Sequence, residues 1–143
     1  MNNKILLVED NPNDEKLVLI ALKDSKIANA VDVVRDGEAA LDFLFCRGSF
    51  GGRNKNDGPQ LILLDLKLPK IDGLEVLKEI RANPLTKRIP VVIMTSSREE
   101  SDLIQGYDNG ANSYIVKPMD PTEFSKAIEN VGLYWLIVNT SIS

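Results

Sequence analysis

Five short apolar runs punctuate the chain, at Ile5–Val8, Val31–Val34, Leu61–Leu64, Val91–Met94 and Tyr114–Val116. Most are nearly unbroken in apolar character, the pattern of strands covered on both faces. Between them apolar residues recur at helical spacing. Leu17/Ala21 and Val18/Leu22 are i,i+4 pairs in the first interval. Leu74, Leu77 and Ile80 mark the third, and Phe124, Ile128, Val131 and Trp135 the last. Pro12 suits the first turn of the first helix, and Asp72-Gly73 stands where the third helix opens. Strand and helix in alternation predict an α/β fold: a doubly wound, five-stranded parallel sheet with helices on both faces.

Two stretches depart from this rhythm. Arg47–Pro59 carries Gly48, Gly51, Gly52 and Gly58 with Arg47, Arg53 and Lys55, and reads as a long exposed loop at about 47–59. The last helix is expected over about 120–138. It ends in Leu133, Tyr134, Trp135, Leu136, Ile137 and Val138, which is apolar all round. One face buries about half of such a set, and the rest would form an exposed apolar patch. A homodimer across the fourth helix, fifth strand and last helix is therefore expected, with Tyr134 and Ile137 as candidate contacts. The competing expectation is a tail folded back over its own domain.

Composition narrows the class. A length of 143 residues suits one domain with a hydrophobic core, and no linker toward a second, output domain is evident. No apolar run is long enough to span a membrane, and the N-terminus leaves no room for a signal peptide. Cys46 is the single cysteine, so an internal disulfide and a cysteine zinc cluster are excluded, and a cytoplasmic setting is expected. A net charge of −4 argues against nucleic acid as the main partner. The chain has no histidine, so it supplies neither a phosphohistidine nor a Ser-His-Asp triad nor a histidine metal ligand. In any histidine-dependent phosphotransfer it must be the acceptor.

The candidate chemistry follows from topology. Open parallel sheets bind ligands beyond the carboxyl ends of their strands, where the winding reverses. In the flavodoxin-like order 2-1-3-4-5 that point lies between strands one and three. Strand one ends in Glu9-Asp10 and strand three in Asp65, so three carboxylates converge. A hard divalent cation relieves their repulsion, and Mg²⁺ prefers oxygen ligands, retained waters and phosphate oxygens. Thr95 follows strand four and Lys117 follows strand five, adding a hydroxyl donor and a compact cation. Together they equip one crevice for phosphoryl transfer to a carboxylate.

These residues carry a resemblance. Val8–Pro12 (VEDNP), residues 64–73 (LDLKLPKIDG), 94–97 (MTSS) and 114–118 (YIVKP) resemble the receiver domains of two-component response regulators, over nearly the whole chain. Thr95 and Lys117 follow Asp65 by 30 and 52 residues, separations similar to the family's. The resemblance implies Asp65 as phosphoacceptor, with Mg²⁺ held by Glu9, Asp10, Asp65 and the Lys67 backbone carbonyl. It implies that Thr95 and Lys117 bind the phosphoryl oxygens. Tyr114 becomes an aromatic switch that swings inward when Thr95 moves, and Lys117-Pro118 a cis peptide. Many receivers have aspartate where Glu9 stands, and its longer side chain is expected to act through water. Lys67 and Ser97 occupy positions that modulate autodephosphorylation in the family. The loop, the lack of an output domain and the Tyr134–Val138 tail are similar to the small regulators paired with cyanobacterial phytochromes. The implied partners are a sensor histidine kinase or histidine phosphotransfer protein, an unknown downstream protein and a second copy of the chain. Beyond accepting phosphate and autodephosphorylating, no enzyme activity is implied.

Three other readings compete. A haloacid-dehalogenase-type phosphatase also uses an aspartate after a strand, but needs a second aspartate two residues on, where Lys67 stands. A flavodoxin-like flavin binder needs a Ser/Thr/Gly-rich phosphate loop after strand one, where Glu9-Asp10-Asn11-Pro12 stands. A receiver-like docking protein that is never phosphorylated is the third.

Overall fold

The computed structural model describes residues 4–24, 30–95, 105, 107–116 and 121–133. Five strands, β1 (Lys4–Val8), β2 (Ala30–Val34), β3 (Leu61–Asp65), β4 (Val91–Thr95) and β5 (Ser113–Val116), form one sheet in the order β2-β1-β3-β4-β5. Every pairing is parallel. Helices α1 (Pro12–Asp24), α2 (Gly37–Leu44) and α3 (Gly73–Ala82) and a C-terminal helix (Pro121–Leu133) accompany it.

The apolar runs are buried as their unbroken character predicts. All five residues of β3 and of β4 are buried, and β1 is buried from Ile5 onward. The edge strands are the exceptions: β2 is half-buried along most of its length, and Ser113 and Tyr114 of β5 are half-buried. The sheet separates two cores by strand alternation. Leu6, Val8, Ile62, Leu64, Val91 and Ile93 face Leu41, Phe43, Val76, Leu77 and Ile80 of α2 and α3. Ile5, Leu7, Leu61, Leu63, Val92 and Met94 face Val18, Ala21 and Leu22 of α1 and Phe124 and Ile128 of the C-terminal helix. With α1 on one face and α2 on the other, the winding reverses between β1 and β3.

The structure adds detail to the glycine-rich segment. Residues 47–59 are largely exposed and lie between α2 and β3 as a loop, with a 3-10 turn of their own at Gly48–Phe50 and several pinning contacts. Arg53 lies over the Phe43 ring at 4.1 Å and donates to the Phe43 and Asp57 carbonyl oxygens at 2.8 Å each. Phe50 meets Phe43 edge-on at 5.2 Å. Lys4 Nζ holds the Asp57 carboxylate at 2.6 Å, and that hydrogen bond keeps the carboxyl below its usual range. The glycines signal a turn-rich segment, but they do not reveal that Arg53 organises it.

The C-terminal helix is described to Leu133. Its expected continuation toward 138, including Tyr134, Trp135 and Ile137, lies outside the described residues. No helix among the described residues is long and apolar enough to cross a membrane.

Candidate functional site

The site is built where β1, β3 and β4 end. Past Val8, the Glu9 backbone N–H donates to the Val34 carbonyl at 3.0 Å, extending the ladder by one residue. That extension leaves the Glu9 side chain fully buried. Its Oε2 accepts from the Asn11 N–H at 3.3 Å. Asn11 Oδ1 accepts from the N–H groups of Asn13 (2.9 Å) and Asp14 (3.2 Å), capping α1 ahead of Pro12. Asp10, between a buried residue and a helix cap, is exposed.

Asp65 is the last residue of β3 and only 6% exposed. Its Oδ1 accepts from the Lys67 N–H at 3.1 Å, so the turn that follows orients the carboxylate. The turn is braced from two sides. Gly73 N–H donates to the Leu66 carbonyl at 3.0 Å, and Gly37 N–H to the Pro69 carbonyl at 3.3 Å. A Cβ on Gly73 would run into the Asp65 carbonyl oxygen and Leu66 Cα, so only glycine lets α3 begin this close to Asp65. Lys70 takes a left-handed φ of 67° and sets its ammonium 3.7 Å from Asp36, near the start of α2.

Carboxylate oxygens of Glu9, Asp10 and Asp65 lie within 4.8 Å of one another. This is a donor set of hard anionic oxygens, two from buried residues and one from an exposed residue, and its chemistry fits a small divalent cation that keeps some of its waters. Thr95, the last residue of β4, is fully buried. It pairs with Val116 while Ile93 pairs with Tyr114. Thr95 and Tyr114 are therefore on one face of the sheet, on adjacent strands, one step apart on the diagonal. The structure thus brings together Glu9, Asp10 and Asp65, keeps Lys67 beside Asp65, and places Tyr114 next to the strand that carries Thr95. Lys117, Pro118 and Ser97 lie outside the described residues.

The sequence reading missed Asn11, whose place directly before Pro12 is an N-cap signal. It also missed Arg81. That guanidinium donates to the carbonyls of Gly110 (2.9 Å), Lys87 (3.1 Å) and Ile89 (2.7 Å) and to Asn112 Oδ1 (2.8 Å). Asn112 in turn is bonded to Val91 through both groups of its peptide partner: its Oδ1 accepts from the Val91 N–H and its N–H donates to the Val91 carbonyl, each at 2.8 Å. Burial lowers the Arg81 pKa below its ordinary value. Arg81 thereby ties the end of α3 to the starts of β4 and β5. Its acceptors are mostly backbone carbonyls, which leave no trace in a residue pattern.

A parallel 2-1-3-4-5 sheet with an acidic crevice at its winding reversal is the arrangement that the resemblance to receiver domains predicts. The chain belongs to the response regulator receiver domain family, whose model matches residues 5–129. It is 44% identical over 132 residues to the response regulator Rcp1 of Synechocystis sp., covering 92% of this chain and 88% of that one. Among solved structures, the phosphorylated cyanobacterial phytochrome response regulator RcpA superposes with a TM-score of 0.87 at 40% identity, over 96% of both chains. The Mn²⁺-bound form of Rcp1 superposes with a TM-score of 0.84 at 43% identity, over 94% of this chain and 95% of that one. The chain is thus a response regulator, a family that works with histidine kinases and acts by signalling rather than by turning over a substrate. Its acidic cluster is a carboxylate set able to hold a divalent metal ion.

Proposed function

We propose that this protein is a single-domain response regulator, residues 1–143, that takes a phosphoryl group from a phytochrome-type histidine kinase onto Asp65. The observation that carries this reading is the convergence of Glu9, Asp10 and Asp65 within 4.8 Å at the edge where Thr95 also ends its strand. The kinase assignment rests on the likeness to RcpA and Rcp1.

In the transfer, an Asp65 carboxylate oxygen attacks the phosphorus of the partner's phosphohistidine. A P–O bond forms as the P–N bond breaks, and the histidine leaves neutral after taking up a proton. The Lys67 N–H holds one Asp65 oxygen at 3.1 Å and so orients the carboxylate. The Thr95 hydroxyl donates to a phosphoryl oxygen and Lys117 neutralises another. Bound Mg²⁺ supplies charge neutralisation; Asp10 and Asp65 with the Lys67 carbonyl would hold it, and Glu9 would act through water. Drawing Thr95 toward the phosphoryl group opens space for Tyr114, which biases a two-state equilibrium read by a downstream protein. The setting is the cytoplasm, and the protein is a homodimer.

Labelling with acetyl phosphate in the presence of Mg²⁺ tests the acceptor. The label should be acid-stable and alkali-labile, as an acyl phosphate is, and Asp65→Asn should abolish it with the fold intact. Normal alkali-stable labelling of Asp65→Asn would overturn the assignment. A chain that takes no label from acetyl phosphate or from a kinase is a docking protein instead.

A further inference from the structure

Beyond the ends of α2 and α3 the surface holds an open groove of about 510 Å³, lined by Phe45, Lys55, Asn83, Pro84 and Leu85. Part of the lining is the turn after α3, whose polar groups are satisfied within the turn. Asn83 Oδ1 accepts from the Leu85 N–H at 2.9 Å, and the Asn83 carbonyl accepts from the N–H groups of Thr86 (3.1 Å) and Lys87 (2.9 Å). The Thr86 hydroxyl donates to the Ile80 carbonyl at 2.7 Å. The turn is thereby closed on itself and leaves Leu85 43% exposed. The rest of the lining is Phe45, which caps α2, and Lys55 of the 47–59 segment. A single exposed leucine is ordinary, but Phe45, Pro84 and Leu85 share one recess, and contiguous apolar surface marks an interaction site.

The charges around the groove are one-sided. Asp42 is held by Arg47 at 3.5 Å and Asp57 by Lys4 at 2.6 Å. Lys78 and Glu79, both exposed near the end of α3, offset each other. Lys55 in the lining pairs with no carboxylate among the described residues, and neither do Lys87 and Arg88, exposed on the turn that carries Pro84 and Leu85. We propose that this groove docks a short acidic segment of another protein. An aliphatic or aromatic side chain of that segment enters beside Phe45 and Leu85, and its flanking carboxylates meet Lys55, Lys87 and Arg88. The net charge of −4 disfavours an extended polyanion such as nucleic acid or an anionic membrane, whereas a short segment meets only the local cations. The groove is also separate from the acceptor crevice. α3 begins against Asp65, and its 10 residues carry the chain about 15 Å away before the groove begins. Both places can therefore be occupied at once, and the docking does not depend on Asp65 being phosphorylated.

Titration of the ¹⁵N-labelled full chain with the peptide Asp-Glu-Leu-Phe-Asp-Glu, blocked at both ends, tests this by backbone NMR. Two control peptides replace Leu-Phe by Ala-Ala, or every acid by lysine. The acidic apolar peptide should shift the amides of Phe45, Lys55 and Leu85 most, and both controls should shift them far less. Leu85→Asp removes the apolar wall and adds a like charge, so it should weaken binding roughly 10-fold or more. Lys55→Glu should weaken it roughly 2- to 5-fold, and added salt should weaken binding to the wild type. Both positions are exposed, so both variants should melt as the wild type does. The proposal is overturned by shifts that are absent or lie elsewhere at about 1 mM peptide. Equal shifts from the control peptides overturn it too, as do variants that bind as the wild type does. If Leu85→Asp instead moves the concentration at which the protein self-associates, a second copy covers the groove and the proposal falls.

Discussion

Glu9 and Asp10 are neighbours in sequence and opposites in solvation. Glu9 is fully buried and Asp10 is exposed, because the ladder bond from Glu9 to Val34 commits one side chain to the interior and sends the next outward. A cation reaching the crevice from solvent meets Asp10 first and with least desolvation. Asp10→Ala is therefore expected to weaken Mg²⁺ binding at least 10-fold by calorimetry and to slow phosphorylation in parallel; unchanged metal affinity would refute its place as a ligand. Glu9→Ala should behave differently. It opens a buried space beside Asn11 and removes the acceptor of the Asn11 N–H, so stability falls by about 1–3 kcal/mol in denaturant melts. The identities of all three acids were legible in the sequence, because topology alone sends the ends of β1 and β3 to one crevice. Their division into buried and exposed was not, since it depends on one further rung of hydrogen bonding.

At the scale of elements, the connection from β3 to α3 carries the greatest constraint. Asp65 can be both a strand end and a nucleophile only if the turn after it is held still, and Gly73 and Gly37 hold it by approaching the backbone at Leu66 and Pro69. Gly73→Ala puts a good helix former in place of a poor one and would stabilise an isolated helix. Here it should instead destabilise the protein, by about 1–3 kcal/mol, and slow acetyl phosphate labelling, since the new methyl must displace the Asp65 carbonyl or push α3 away. A melt and a labelling time course on one sample check both. Arg81 plays the corresponding part at the far end of α3. Arg81→Ala strips donors from four acceptors at once and is expected to cost about 2–4 kcal/mol, with Arg81→Lys recovering little because an ammonium cannot fork to several carbonyls. The sequence located every strand to within a residue, because unbroken apolar runs are what a doubly covered sheet demands. It read 47–59 as a long exposed loop without the contacts that pin it, because the cation–π contact and carbonyl bonds of Arg53 obey no periodicity.

The whole molecule sorts its surfaces by what covers them. α1 and the C-terminal helix share one face of the sheet and α2 and α3 the other, so the two cores are complete where they are described. Phe124 and Ile128 already occupy the inner stripe of the C-terminal helix at 1% exposure each. The residues after Leu133 then add Tyr134, Trp135, Leu136, Ile137 and Val138, five apolar side chains in a row. If the helix continued through them, one core-facing stripe about two residues per turn wide would not take them all. Burying a large apolar side chain contributes roughly 1.5–3 kcal/mol, so a few of them repeated across a two-fold axis offset much of the cost of association. A homodimer through this end of the molecule is the expected outcome. Light scattering over a concentration series checks it, with and without phosphodonor, in the wild type and in Tyr134→Asp and Ile137→Asp. The wild type should show the dimer mass at the upper concentrations, and each aspartate variant should shift the midpoint at least 10-fold higher, since a charge forced into an apolar interface must be desolvated. Acetyl phosphate labelling of the variants should stay at the wild-type rate, because the acceptor crevice lies in one chain. A monomer at every concentration, phosphorylated or not, would leave the apolar tail to fold back over its own domain and would remove the dimer from the account.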